Sequence, residues 1–147
     1  MKVAIGCDPN AAALKREVIE ELQALGHEVS DLGSEDPIYA NVVIEVAEAV
    51  VRGEYERGVV LCGTGIGASI AANKVPGAYC ALVTDTYQAE RAALSNNANM
   101  IAMGSQVTGS MVARTMVRTW MANAYQPGGR SDDKIKRICE YAERHGS

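Results

Sequence analysis

Short runs of apolar and β-branched residues alternate along the chain with longer stretches in which apolar residues recur every three or four positions. The runs 2-KVAIG-6, 28-EVSDL-32, 58-GVVLC-62, 79-YCALV-83 and 99-NMIAM-103 predict five strands, being short and rich in residues that suit a pleated element. Between them, 11-AAALKREVIEELQALG-26 and 38-IYANVVIEVAEAVVRG-53 have helical spacing and stop at Gly26 and Gly53, the residue type that best accepts the left-handed turn closing a helix. The stretches 66-IGASIAANK-74, 85-DTYQAERAALSNN-97 and 109-GSMVARTMVRTWMANA-124 are helical in pattern too. Such alternation implies parallel strands joined by right-handed crossovers, hence an α/β/α three-layer sandwich around a five-stranded, Rossmann-like parallel sheet. Ligands of these sheets gather at the carboxyl ends of the strands.

One element falls outside the alternation. After the break at 126-QPGGR-130, the stretch 131-SDDKIKRICEYAERHG-146 predicts a C-terminal helix with acids in its first turn, a favourable place for negative charge. Packing on its own domain and packing on a partner subunit are equal expectations for it. The 147 residues otherwise fit a single domain, 1–147.

Composition narrows the function more than the fold. The net charge is −4 and the basic residues are scattered, which argues against nucleic acid as a partner. No apolar stretch resembles a leader or reaches membrane length, so a cytoplasmic location away from membranes is expected. The cysteines, Cys7, Cys62, Cys80 and Cys139, form no C-x-x-C pair, so no metal site is expected. Cys80 and Cys139 read as small buried hydrophobes, and His27 and His145 as solvated surface residues.

Chemistry concentrates in the turns after the first and third strands, 6-GCDPN-10 and 62-CGTGIG-67. Gly63, Gly65 and Gly67 permit close backbone approach, and the amides opening the following helix suit an oxyanion or phosphate. No Gly-Lys-Ser/Thr follows, which excludes a Walker A loop. Gly63, Gly65 and Ala68 formally satisfy a dinucleotide fingerprint, with Asp85 where a ribose-binding acid would stand. Cys62 sits at a helix N-terminus, where a thiol gains thiolate character and can serve as a base. Asp8, Thr64 and Asn73 are candidates to orient substrate hydroxyls, with Asp8 equally placed to cap the next helix.

Together these residues resemble the ribose-5-phosphate isomerase B and galactose-6-phosphate isomerase family. The resemblance runs from Met1 to about Arg137 and is carried by CGTGIGASIAANKVPG at 62–77, GCD at 6–8, N-x-x-N-x-x-x-x-G-S at 96–105 and GGR at 128–130. It implies a cofactor-free aldose–ketose isomerase of a phosphorylated sugar, built as a homodimer or dimer of dimers with sites shared between subunits. It implies Cys62 as the base moving a proton between C1 and C2, and Thr64 with the loop amides as stabilisers of the enediolate. Arg130, with Lys134 after it, is implied to hold the phosphate from the partner. Asp8, Asn10, Tyr39, Gly63, Gly65, Gly67, Asn73, Ser95 and Asn96 are implied to surround the sugar.

The chain departs from the ribose-5-phosphate pattern at Pro9, at 36-DP-37, at Ser131 and above all at Ser95, where that group has the His implied to open the furanose ring. A tetrose 4-phosphate has O4 esterified and forms no such ring, so it needs no ring-opening acid. The stretch 84-TDTYQAERAALSNNAN-99 also resembles the branch acting on tetrose phosphates in erythritol breakdown. The expected substrate pair is therefore D-erythrulose 4-phosphate and D-erythrose 4-phosphate. Ribose 5-phosphate is the alternative, and a non-catalytic phosphate- or dinucleotide-binding module the alternative of another class.

Overall fold

The computed structural model describes residues 1–146. The strands are β1 (Lys2–Cys7), β2 (Glu28–Gly33), β3 (Arg57–Cys62), β4 (Cys80–Leu82) and β5 (Met100–Gly104). The helices are α1 (Ala12–Ala24), α2 (Tyr39–Val51), α3 (Ile66–Asn73), α4 (Thr86–Leu94), α5 (Ser110–Met121) and α6 (Asp132–His145). All strand pairs are parallel, in the order β2-β1-β3-β5-β4. Crossovers to the left along this order carry α1 and α4 and those to the right carry α2 and α3, so a constant right hand sorts the helices onto opposite faces.

The core records this sorting residue by residue. Val3, Ile5, Val59, Leu61, Ile101 and Met103 bury with α1, α4 and α5, while Ala4, Val60, Cys62, Met100 and Ala102 bury with α2 and α3. Odd positions face one layer and even positions the other, as the two-residue period of a strand requires. With both faces covered, β1, β3 and β5 are apolar almost throughout.

Element limits move where local chemistry overrides periodicity. Pro9 opens a 3₁₀ turn, Pro9–Ala11, which delays α1 to Ala12. Helix α4 ends at Leu94, not Asn97: the Asn96 side chain donates back to Arg91 O at 2.9 Å and Asn97 turns to φ +49°. Helix α5 likewise closes at Met121, three residues early. Strand β4 has an edge position, pairs only with β5 and keeps three residues.

Helix α6 buries none of its residues completely. Ile138 and Tyr141 stand more than half exposed on it, and Cys139, expected to be buried, is only half-buried. The Tyr79 hydroxyl bonds Cys139 and is pushed up to about 12, that hydrogen bond leading and burial adding. His27 corrects another expectation. Its Nδ1 is enclosed without a partner, and burial pushes its pKa down.

Candidate active site

The direction of the crossovers reverses between β1 and β3, which makes the carboxyl ends of these strands the natural crevice. Cys7 lies opposite Leu61 in the sheet, so the turns after β1 and β3 stand side by side. The Asp8 amide donates to Leu61 O at 2.9 Å and locks them together. Asp8 Oδ1 accepts the Asn10 amide at 2.8 Å, so the carboxylate does cap the short helix. The Asn10 carbonyl accepts from Ser105 Oγ at 3.4 Å, bringing the loop after β5 to the same place.

Cys62, 5% exposed, faces the α2–α3 layer, and its Sγ accepts the Gly65 amide at 3.2 Å. The Ile66 amide donates to Thr64 Oγ at 3.2 Å. Two of the four donors that a helix N-terminus leaves free are thus spent, and the amides of Gly67 and Ala68 remain for a ligand oxyanion. The turn needs its glycines. Gly65 sits at φ +79°, and a Cβ there would come 2.8 Å from both Leu82 Cδ1 and the Met103 carbonyl carbon. A Cβ at Gly67 would overlap the Tyr39 hydroxyl, so Tyr39 rests directly on the first turn of α3. Gln106 forms a further wall that sequence reasoning missed: its amide donates to Gly63 O at 2.9 Å and its Oε1 lies 3.1 Å from where a Gly63 Cβ would be. Its only signal in the sequence was its place directly after the Gly104–Ser105 pair.

The second crevice thiol is set apart. Cys7 is fully buried in the opposite layer; burial pushes it up to about 11 against the pull of Lys15, with Asp31 and Asp8 adding to the rise. Cys80 is driven up to about 12 by burial alone.

Two expected site residues lie elsewhere. Asn73 ends α3, where its side chain accepts the Cys80 amide at 2.8 Å and donates to Cys80 O at 2.9 Å. That amide is wholly engaged in joining α3 to the start of β4, so Asn73 orients the fold and not a substrate within this chain. Asp85, the acid a dinucleotide site would need, caps α4 by accepting the Gln88 amide at 2.8 Å.

Ser95, Asn96, Arg130 and Lys134 come together, but at the other edge of the sheet. Helix α4 runs back from the carboxyl end of β4, so Ser95, which closes it, sits near the amino ends of the strands. There Ser95, Asn96, Arg130, Ser131 and Lys134, with Ile135 and Ile138, line a cavity of about 370 Å³. Six-residue strands set the two edges roughly 20 Å apart. One chain therefore carries a thiol turn at one edge and a cationic cavity at the other. Ser95 Oγ accepts Arg91 Nε at 2.7 Å. A larger cleft of about 450 Å³ opens beside this cavity, between α6 and the segment around Tyr79.

The family described as Ribose/Galactose Isomerase matches residues 3–138. This chain belongs to that family. It is 40% identical to D-erythrulose-4-phosphate isomerase of Pectobacterium atrosepticum, with 99% of each chain covered. It is 38% identical to the ribose-5-P isomerase B of Listeria innocua, again over 99% of each. The ribose-5-phosphate isomerase B structure from Clostridium thermocellum superposes with a TM-score of 0.92 at 40% identity, covering 99% of each chain. The protein is accordingly a sugar-phosphate isomerase of the aldose–ketose type, with the α/β fold its sequence predicts. Among its described residues no helix is long and apolar enough to cross a membrane.

Proposed function

We propose that the protein interconverts D-erythrulose 4-phosphate and D-erythrose 4-phosphate through a cis-enediolate, at sites shared between two copies of the chain. Cys62 takes the proton from one of C1 and C2 and returns it to the other. Thr64 and the first-turn amides of α3 hold the developing oxyanion, where one preorganised donor contributes about 3 kcal/mol. The partner subunit brings Arg130 and Lys134 to the phosphate, a remote grip that positions a small reacting end. The opposed edges support the sharing: no single chain presents its cationic cavity to its own thiol. The exposed face of α6 gives a second copy a surface to cover.

The tetrose is favoured by the residues around Ser95. Its cavity is lined by hydroxyls, an amide, Arg130, Lys134 and two isoleucines, with neither a histidine nor a carboxylic acid to open a furanose near neutral pH. A missing general acid forfeits roughly 10²–10⁴-fold on such a step. Similarity to ribose-5-phosphate isomerases keeps ribose 5-phosphate as the competing substrate. Wild-type kcat/KM on D-erythrulose 4-phosphate and ribose 5-phosphate, measured under one set of conditions, decides between them. A clear preference for the tetrose is expected, and equal or better turnover of ribose 5-phosphate rejects the assignment.

A further inference from the structure

Ser95 Oγ has one proton to give and two lone pairs to share. Arg91 Nε–H fills one lone pair at 2.7 Å, and among the described residues no protein acceptor takes the hydroxyl proton. The serine lines the cavity of Arg130 and Lys134, whereas Arg91 does not. Arg91 is unusually committed to this helix end: its carbonyl also accepts the Ser95 amide at 3.0 Å and the Asn96 side chain at 2.9 Å. Its only carboxylate contact is a 3.5 Å approach to the neighbouring Glu90.

We propose that Arg91 is a positioning residue of this isomerase: by donating to Ser95 Oγ it turns the hydroxyl proton into the cavity, where Ser95 donates a hydrogen bond to an oxygen of the bound sugar phosphate. The geometry carries this. With the Arg91 N–H directed at the oxygen, the hydroxyl proton is turned away from Arg91 and, with no acceptor for it among the described residues, is left to donate to a ligand in the cavity. Such a contact, made in ground state and transition state alike, acts on KM more than on kcat. The assignment rests on the isomerase reading above and makes Arg91 a determinant of affinity without contact to the substrate.

The test uses the full-length enzyme and whichever of D-erythrulose 4-phosphate and ribose 5-phosphate the wild type turns over faster. Ser95→Ala is expected to raise KM about 3- to 10-fold with kcat within about twofold, the loss of one neutral hydrogen bond. Arg91→Leu is expected to raise KM by a similar factor, and the double variant to lose no more than Ser95→Ala alone. Arg91→Gln places a neutral N–H donor at the same bond distance from the backbone as Nε, so it is expected to recover most of what Arg91→Leu loses. Multiplying penalties in the double variant, or a Gln variant as poor as the Leu variant, would overturn the proposal in favour of a charge or folding effect. Thermal unfolding of each variant identifies a misfolded one. Should Arg91→Leu not fold, Arg91→Met, which keeps an unbranched stem without an N–H donor, replaces it in the wild-type and Ser95→Ala backgrounds and decides by the same rule. A wild type that isomerises neither sugar refutes the functional reading itself, whereas an active wild type with independent penalties refutes only the role of Arg91.

Discussion

The two edges of the sheet are built by different means. At the carboxyl edge the Cys62 thiol is held by main chain: the Gly65 amide on Sγ, the Asp8 amide on Leu61 O, and the Ser105 and Gln106 amides on Cys62 O and Gly63 O, each at 2.9 Å. At the amino edge the cationic cavity is made by side chains, with Arg130 and Lys134 exposed and Ser95 Oγ accepting Arg91 Nε. A proton transfer tolerates little displacement, and buried backbone supplies rigidity. A phosphate grip relies on charge, which acts over a longer range and accepts adjustable arms. The contrast separates what must be placed from what must only be present.

Removing the thiol is expected to have the largest effect. Cys62→Ala should lower kcat by roughly 10³-fold while preserving fold and phosphate affinity, since the change in volume is small. Near-normal turnover, or surviving exchange of solvent deuterium into product, would end the proton-shuttle role. Next comes the frame itself. A Cβ at Gly104 would press into the Thr64 main chain, so Gly104→Ala should destabilise by about 1–3 kcal/mol and cost roughly 10²-fold in kcat through displacement of the turn. Denaturant titration alongside kinetics separates the two losses.

The amino edge should respond more gently and in a different parameter. Arg130→Ala is expected to raise KM roughly 10- to 100-fold, the value of charged hydrogen bonds, and to weaken inhibition by inorganic phosphate in parallel. Mixing Cys62→Ala with Arg130→Ala chains, assayed at substrate far below the raised KM so that neither parent shows appreciable turnover, should regenerate intact sites in exchanged dimers, and absence of recovery despite proven exchange would count against sharing. Smallest is the anchor of α6. Tyr125 donates to an Asp132 oxygen at 2.6 Å, which leads in holding that carboxyl below the usual range, with Lys136 and a backbone donor helping. Because the folded pKa is depressed, this contribution is present above the ordinary carboxylate pKa and fades as pH falls through the folded value. Tyr125→Phe should move the Asp132 titration upward, as followed by NMR, with little change in turnover.

Much of this layout was legible in the sequence because strand and helix periods report burial directly. The runs through Val59–Leu61 and Ile101–Met103 read as strands of a three-layer sandwich, and the glycines at 63, 65 and 67 marked a turn of close approach. What stayed hidden depends on distance in three dimensions. Nothing in the order of residues says that β5 inserts between β3 and β4, and that insertion brings Gln106 over Gly63. Asn73 lies eleven residues past Cys62, yet a two-turn helix carries it to the far edge and commits it to Cys80. Ser95 and the Arg130–Lys134 pair stand far apart in the chain. Only the fold puts them in one cavity, and the tie between Arg91 and Ser95 is a matter of side-chain direction that helical spacing permits but does not dictate.

The parity of the strands also decides how the protein meets oxidants. Cys62 and Cys7 end neighbouring strands, but the sheet lies between their side chains. Cys80 shares the face of Cys62, yet it pairs with Met100 where Cys62 pairs with Gly104, four residues or about 13 Å along β5. Cys139 is occupied beside Tyr79, at the edge where β4 begins. Within one chain, a Cys62 sulfenic acid therefore has no resolving thiol in reach, and its repair falls to small-molecule thiols able to enter the crevice.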